Sequence, residues 1–178
     1  MKCKERRYFH VFPLIAAFVV AGSLGWQPAR AEGDSKELQA VAQALGKSKL
    51  SLLAGIRQAS QGSAKAISAK FELEDGKLQL SVYTLKDGKY FEVVVDHNSG
   101  TVVKAEPITE DEDYTAAQSQ RAAMAKAKVS LRAAVEKALR DNVGYHAVSV
   151  TPSLKDGRAV ADVTLAKGEE GKTVSVPL

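Results

Sequence analysis

Residues 66–104 read AISAKFELEDGKLQLSVYTLKDGKYFEVVVDHNSGTVVK: alternating apolar runs separated by Asp75-Gly76 and Asp87-Gly88. An Asp-Gly pair between two such runs signals a two-residue hairpin, because both central residues of a type I′ turn need positive φ. Strand side chains alternate faces, so the turn fixes the register, and the register fixes which side chains share a face. A turn at Asp75-Gly76 pairs Phe71 with Leu80, Ala69 with Val82 and Ile67 with Thr84. A turn at Asp87-Gly88 pairs Val82 with Val93, Leu80 with Val95 and Thr84 with Phe91. Independently, the two hairpins put Ile67, Ala69, Phe71, Leu78, Leu80, Val82, Phe91, Val93 and Val95 on one face. A slip of one residue destroys that agreement, so an antiparallel meander is predicted. Residues 96–100 then turn the chain into a short fourth strand at 101–104, which Pro107 is expected to end.

Before the meander, Ser51 is a plausible N-cap for a helix whose Leu52, Ile56 and Ala59 fall on one side, and Gln61-Gly62-Ser63 stops it. That helix is the natural cover for the apolar sheet face. A lead-in over 32–49 carries Leu38, Val41, Ala42 and Leu45 on one side and is predicted helical or loosely ordered. A shorter copy of the unit begins at Ser130: a helix with Leu131, Val135, Ala138 and Leu139 on one face, then the strands of 147–178. Its Asp156-Gly157 turn pairs Val150 with Val163 and Val148 with Leu165, and Val174 and Val176 continue the core face. The connection over 166–171 reads as longer and looser, and the fourth strand of the first copy has no counterpart. Between the copies, Thr109 and Glu112 suggest a capping box, the acidic run 110–113 suits a helix start, and the Ala-rich stretch 114–129 is expected to run helically into the helix after Ser130.

The amino end reads as a leader. Lys2, Lys4, Arg6 and Arg7 precede a largely apolar stretch over 11–24, and Ala29-Arg30-Ala31 is a small-x-small cleavage site, so the mature chain is expected to start at Glu32. The stretch is shorter than the roughly 20 apolar residues a membrane span needs. Arg6-Arg7-Tyr8-Phe9 is similar to a twin-arginine export motif, although Glu5 stands where Ser or Thr is usual; general secretion is the other route. Either route makes the protein periplasmic or secreted, with no stable membrane anchor after cleavage.

Five of the 25 basic and one of the 21 acidic residues fall within 1–31, leaving 20 of each, so the net +4 belongs to the leader and gives no case for nucleic-acid binding. The single Cys and the single Trp, Cys3 and Trp26, lie there too. Residues 32–178 therefore have no disulfide, thiol nucleophile or Cys-based metal site, and the fold must be held by its core.

The pattern Ser-Leu-x-x-Gly-Ile in a helix, a strand, a Gly-turn hairpin, and then Gly88, Lys89, Tyr90, Phe91, Glu92, Val93, Val95, Asp96, Ser99, Gly100 and Val102 resembles the PepSY domain. The resemblance covers 51–104 well and 130–178 less well, since Asp96 and Gly100 have no equivalents in the second copy. It implies a bacterial, extracytoplasmic, non-catalytic module that binds another protein, with peptidase inhibition or regulation as the associated activity. The fold expected is α+β: two tandem PepSY-like units, each a helix packed on a small antiparallel β-meander sheet. The organisation expected is a signal peptide over 1–31, a first domain with its lead-in helix over 32–107, an acidic then Ala-rich connection over 108–129, and a second, truncated domain over 130–178.

No cluster of reactive side chains stands out, so no catalytic residue, cofactor or metal is predicted. His97 and His146 are the only histidines after the leader and have no neighbouring ligand set in sequence. Asp96 is expected to cap its turn through backbone hydrogen bonds. Glu72, Glu74 and Asp75 fall on the solvent face or in a turn, where a raised carboxyl pKa is not expected. Gly76, Gly88 and Gly157 lack phosphate-loop spacing. The outer face of the first sheet gathers Ser68, Lys70, Glu72, Gln79, Ser81, Tyr83, Leu85, Tyr90, Glu92 and Val94. Tyr83, Leu85, Tyr90, Glu92 and Val94 are the candidate partner-binding residues, because that face is less polar than free exposure requires. Packing of the same face against the second copy or the connecting helices is the preferred explanation of that apolar character. The function expected is an exported binding module acting sterically on an extracytoplasmic protein such as a peptidase; the alternative is a small-ligand or metal-binding envelope sensor.

Overall fold

The computed structural model describes residues 29–109 and 111–178. In chain order they form α1 (Ala29–Leu45), α2 (Leu52–Ala59), β1 (Lys65–Glu74), β2 (Lys77–Lys86), β3 (Lys89–Val95), β4 (Val102–Ile108), α3 (Asp111–Lys126), α4 (Leu131–Asp141), β5 (His146–Lys155), β6 (Arg158–Lys167) and β7 (Glu170–Pro177). The expected leader lies outside the described residues as far as 28, and so does Glu110 of the acidic run.

The hairpins form in the register their turns dictate. Asp75, Asp87 and Asp156 have φ of 49°, 51° and 51°, and the glycine after each is also positive, as a type I′ turn requires. Phe71 pairs with Leu80, Ala69 with Val82, Leu80 with Val95, Val82 with Val93, Thr84 with Phe91 and Val150 with Val163. Two expected pairs fail in the same way. Thr84 faces Ala66 rather than Ile67, and Leu165 faces Ala147 rather than Val148. Ile67 and Val148 are the extra residues of two β-bulges, 81 residues apart like the two Asp-Gly turns. A bulge sets two residues against one and shifts the extra side chain out of the alternation. Ile67 accordingly packs with Tyr83 and Tyr90 on the other face. The pattern Ala-x-Ser around each bulge alternates equally well with or without it, which hides it in the sequence.

The expected fold class is corrected where the two halves meet. They do not form two separate helix-on-meander units. One seven-stranded antiparallel sheet runs β4-β3-β2-β1-β5-β6-β7. The equivalent first strands pair directly, Ala69 opposite Val150 and Lys70 opposite Ser149. Ala69 and Val150 are also 81 residues apart, so a pseudo-two-fold axis passes through their pair. The reason lies in edges: β1 alone would leave unpaired backbone groups beside the buried Ala69, and pairing with β5 at Ala69–Val150 and Lys70–Ser149 covers the middle of both edges.

On one face α2 packs against β1, β2 and β3, and α4 against β5, β6 and β7. Ser51 Oγ accepts from Ala54 N (3.2 Å) and Ser130 Oγ from Ala133 N (3.1 Å), so both helices are capped alike. Their Leu52, Ile56, Leu131 and Val135 share one core with Phe71, Leu80, Val82, Val150 and Val163. The packing differs between halves by exchange of volume. A Cβ on Gly55 would lie 1.9 Å from Leu80 Cδ2, so α2 approaches β2 only because position 55 is glycine. At the equivalent positions α4 carries Ala134 and β6 carries Ala161, both buried.

The opposite face carries α1 and α3. Ala117 of α3 packs with Tyr83 and Tyr90, whereas Leu38 of α1 lies over Gly171, where a Cβ would be 2.3 Å from its Cδ2. Large strand residue under small helix residue in one half becomes the reverse in the other. The helix expected to run from the Ala-rich stretch into α4 is broken: α3 stops at Lys126, because the chain must cross to the other face before Ser130 starts α4. The connection between β6 and β7 is tighter than expected, a turn at Gly168-Glu169 with Gly168 at φ 60°. Pro107 does not end β4, which continues to Ile108. On an edge strand the missing proline N–H faces outward and no ladder bond is lost.

Candidate functional site

The candidate residues on the outer face of the first meander lie mostly beneath α3. Tyr83 and Tyr90 are each only 5 % exposed and Val94 is buried, while Leu85 and Glu92 are half-buried. Tyr83 Oη donates to Asp113 Oδ1 at 2.8 Å, and the Tyr90 ring meets Tyr114 edge-on with centroids 5.4 Å apart. The apolar character that marks this face in sequence is thus taken up by the connecting helix. A partner could reach Tyr83 and Tyr90 only by displacing α3.

Beside that helix the same face is polar and partly enclosed. Ser81 Oγ donates to Glu72 Oε1 at 2.8 Å, and Gln79 Nε2 donates to the same oxygen at 3.2 Å. Lys70 Nζ lies 3.5 Å from Glu37 and 3.9 Å from Glu72, and Lys104 Nζ lies 3.0 Å from Glu106. Contrary to the sequence expectation, Glu72 is not an ordinary solvated carboxylate. Burial raises its pKa against the opposing effect of the Ser81 and Gln79 hydrogen bonds. Glu92 is raised as well, by burial first. Burial and then the hydrogen bond to Asp113 raise the Tyr83 phenol, so it stays a neutral donor. These groups tie strands and a helix together, with the Ser81 hydroxyl donating to the Glu72 carboxylate across β1 and β2.

The remaining sequence candidates have structural duties. Asp96 Oδ1 accepts from Asn98 N (3.2 Å), Ser99 N (2.7 Å) and Ser99 Oγ (2.8 Å), which holds its pKa below the usual carboxylate range. His97 offers its carbonyl to Lys49 N, Leu50 N and Ser48 Oγ, each at 3.1 Å, fastening the β3–β4 turn to the α1–α2 connection. His146 is exposed at the start of β5. Among the described residues no three His, Cys, Asp or Glu side chains are grouped to hold a metal ion. Gly76, Gly88 and Gly157 sit in hairpin turns at positive φ.

A further surface lies open on the other side of the sheet, away from the candidate partner-binding residues Tyr83, Leu85, Tyr90, Glu92 and Val94. β4 belongs to no part of the repeat, and α2 is centred on β1–β3, so the inner side of β4 projects beyond its helix. A cleft of about 380 Å³ results between α2 and the sheet. Ala59, Phe91, Val93, Val102 and Ala105 give it an apolar floor and wall, Gln58 and Gln61 a polar rim, and Lys86 a charge at one end. Val102 is 43 % exposed and Val103 at the bulge of β4 is 63 % exposed. The signal available in sequence is the absence of a counterpart to this strand in the second copy: a strand outside the repeat has no helix of its own.

No family model and no curated protein matches the chain. Among solved structures, a candidate lipoprotein of Clostridium difficile 630 is similar over 65 % of this chain and 76 % of that one, at 14 % identity and a TM-score of 0.39. That likeness is too loose to inform fold or function. No helix among the described residues is long and apolar enough to cross a membrane.

Proposed function

We propose that the protein is an exported, non-catalytic binding module that engages another extracytoplasmic protein through the cleft between α2 and β3–β4. The observation that carries this is the apolar strip beside α2, in which Val102 and Ala105 are exposed and Phe91 is half-buried next to the buried Val93. A cleft with an apolar floor and few polar groups favours an apolar segment over a polar metabolite. Lys86 lines one end and Lys89 is its cross-strand neighbour, so the segment that fits is apolar with an acidic side chain at that end. The leader and the resemblance of 51–104 to the PepSY domain support export and protein binding; inhibition of a peptidase would follow from occupying its surface, without a reactive group.

A displayed peptide library selected on the protein tests this. Enrichment of apolar peptides carrying a terminal acidic residue is expected, with binding weakened about tenfold or more by Val102→Asp and by Lys86→Glu. Both positions are solvent-facing, so the fold should be retained, which circular dichroism checks. Failure to enrich any such peptide, or binding indifferent to both substitutions, would overturn the proposal.

A further inference from the structure

The edge of β4 carries a second message, independent of the cleft. Pro107 has no N–H, so its pair with Phe91 is one of the positions without ladder hydrogen bonds, and by alternation Ala105 also turns its N–H and C=O outward. The strand from Lys104 onward therefore offers the free backbone groups of Ala105 and the carbonyl of Pro107 to a neighbour. Two charged side chains flank Ala105 on the outer face of the sheet, Lys104 before it and Glu106 after it. Their neighbours on β3 sharpen the pattern. Glu106 stands opposite Glu92, a like-charge pair across adjacent strands, and Lys104 stands opposite Val94.

We propose that two copies of the chain pair edge to edge through β4, antiparallel, with Ala105 on the two-fold axis and Lys104 of each copy opposite Glu106 of the other. In this register each copy's Lys104 reaches the row in which Glu92 and Glu106 lie side by side, and each Glu106 reaches the row of Lys104. Opposite charges directly across an antiparallel pair are favourable and like charges unfavourable. A one-pair shift of the register sets Lys104 against Lys104 or Glu106 against Glu106, so the charges select a single alignment. Lys104, Glu106 and Pro107 are also the residue types that discourage indiscriminate edge pairing, which leaves the self-complementary alignment as the one they permit. The molecule already makes a joint of this kind internally, where the equivalent strands β1 and β5 meet across the pseudo-two-fold at Ala69 and Val150. The joint uses backbone and outer-face side chains and leaves the inner-face cleft of each copy open.

Sedimentation velocity across a range of protein concentrations, at low and high salt, tests the proposal on the exported protein. The wild-type protein is expected to dimerise, less strongly at high salt. Lys104→Glu and Glu106→Lys are each expected to weaken dimerisation at least about tenfold, since each makes both cross-strand pairs repulsive. An equimolar mixture of the two variants restores both pairs and is expected to form a heterodimer about as tight as the wild type. Ala105→Pro, which removes the central outward N–H without touching the ladder to β3, is expected to be monomeric. Val102→Asp and Lys86→Glu, which address the cleft, should leave dimerisation unchanged, so loss of peptide binding and loss of dimer are separable. A wild-type protein that stays monomeric throughout, or charge variants that dimerise alone as well as they do mixed, would overturn the proposal.

Discussion

At the scale of single residues the molecule separates two kinds of carboxylate. Asp96 receives three hydrogen bonds from its own turn, which favour the ionised form. Glu72 and Glu92 are half-buried on the outer sheet face, where desolvation favours the protonated form. The two kinds move stability in opposite directions with pH. A glutamate whose folded pKa is raised binds its proton more tightly folded than unfolded, where it titrates near about 4.3. Its ionisation opposes folding above the folded pKa, and that opposition fades as pH falls through it. Asp96 is depressed, so its contribution is present above the unfolded value of about 3.9 and is lost as pH falls through the folded value. Urea midpoints should therefore rise as pH falls towards the unfolded glutamate value of about 4.3 and fall again below about pH 4. Glu72→Gln and Glu92→Gln should each flatten the rise while leaving the acid limb in place. A midpoint that declines steadily as pH falls from 7 to about 4.3 in the wild type would contradict this assignment.

Among the elements, the packing of α2 on β2 and of α4 on β6 makes a comparison within one chain. Gly55 meets Leu80 in the first half; Ala134 takes the helix position and Ala161 the strand position in the second. Gly55→Ala forces a Cβ into Leu80 and is expected to destabilise by about 1–3 kcal/mol through overpacking. Leu80→Ala leaves a cavity and is expected to cost about 2–5 kcal/mol. The double substitution reproduces the alanine pair of the other half, so its cost should fall short of the sum of the two singles. Additive single effects in a double-mutant cycle would show that the two positions are not in contact. The helices themselves are legible in the sequence: α2 over 52–59 and the start of α4 at 131 follow from Ser caps and apolar spacing. The break between α3 and α4 is not, because an Ala-rich stretch supports a helix locally and only the need to change sheet faces interrupts it.

For the whole molecule, sequence and structure part company at the joint between the halves. Alternation and Asp-Gly turns specify each hairpin, since they act between neighbours in the chain. They say nothing of which strand the first strand of each meander meets, so they predict two units where β1 and β5 fuse the halves into one sheet. The bulges at Ile67 and Val148 escape for a related reason, an alternation that fits either register. The candidate site moves with the fold. Tyr83 and Tyr90 are too apolar for free solvent, and α3 is what covers them. The surface left over, beside β4, follows from a global fact: the sheet has one more strand on the first side than its helices cover. Backbone amide hydrogen exchange, recorded with and without a selected apolar, acid-ended peptide, tests the assignment of this surface most directly. The predicted result is slowed exchange in α2 and β3–β4 with none in α3 or in β5–β7; protection confined to α3 and the outer face around Leu85 and Glu92, with the cleft unchanged, would contradict it.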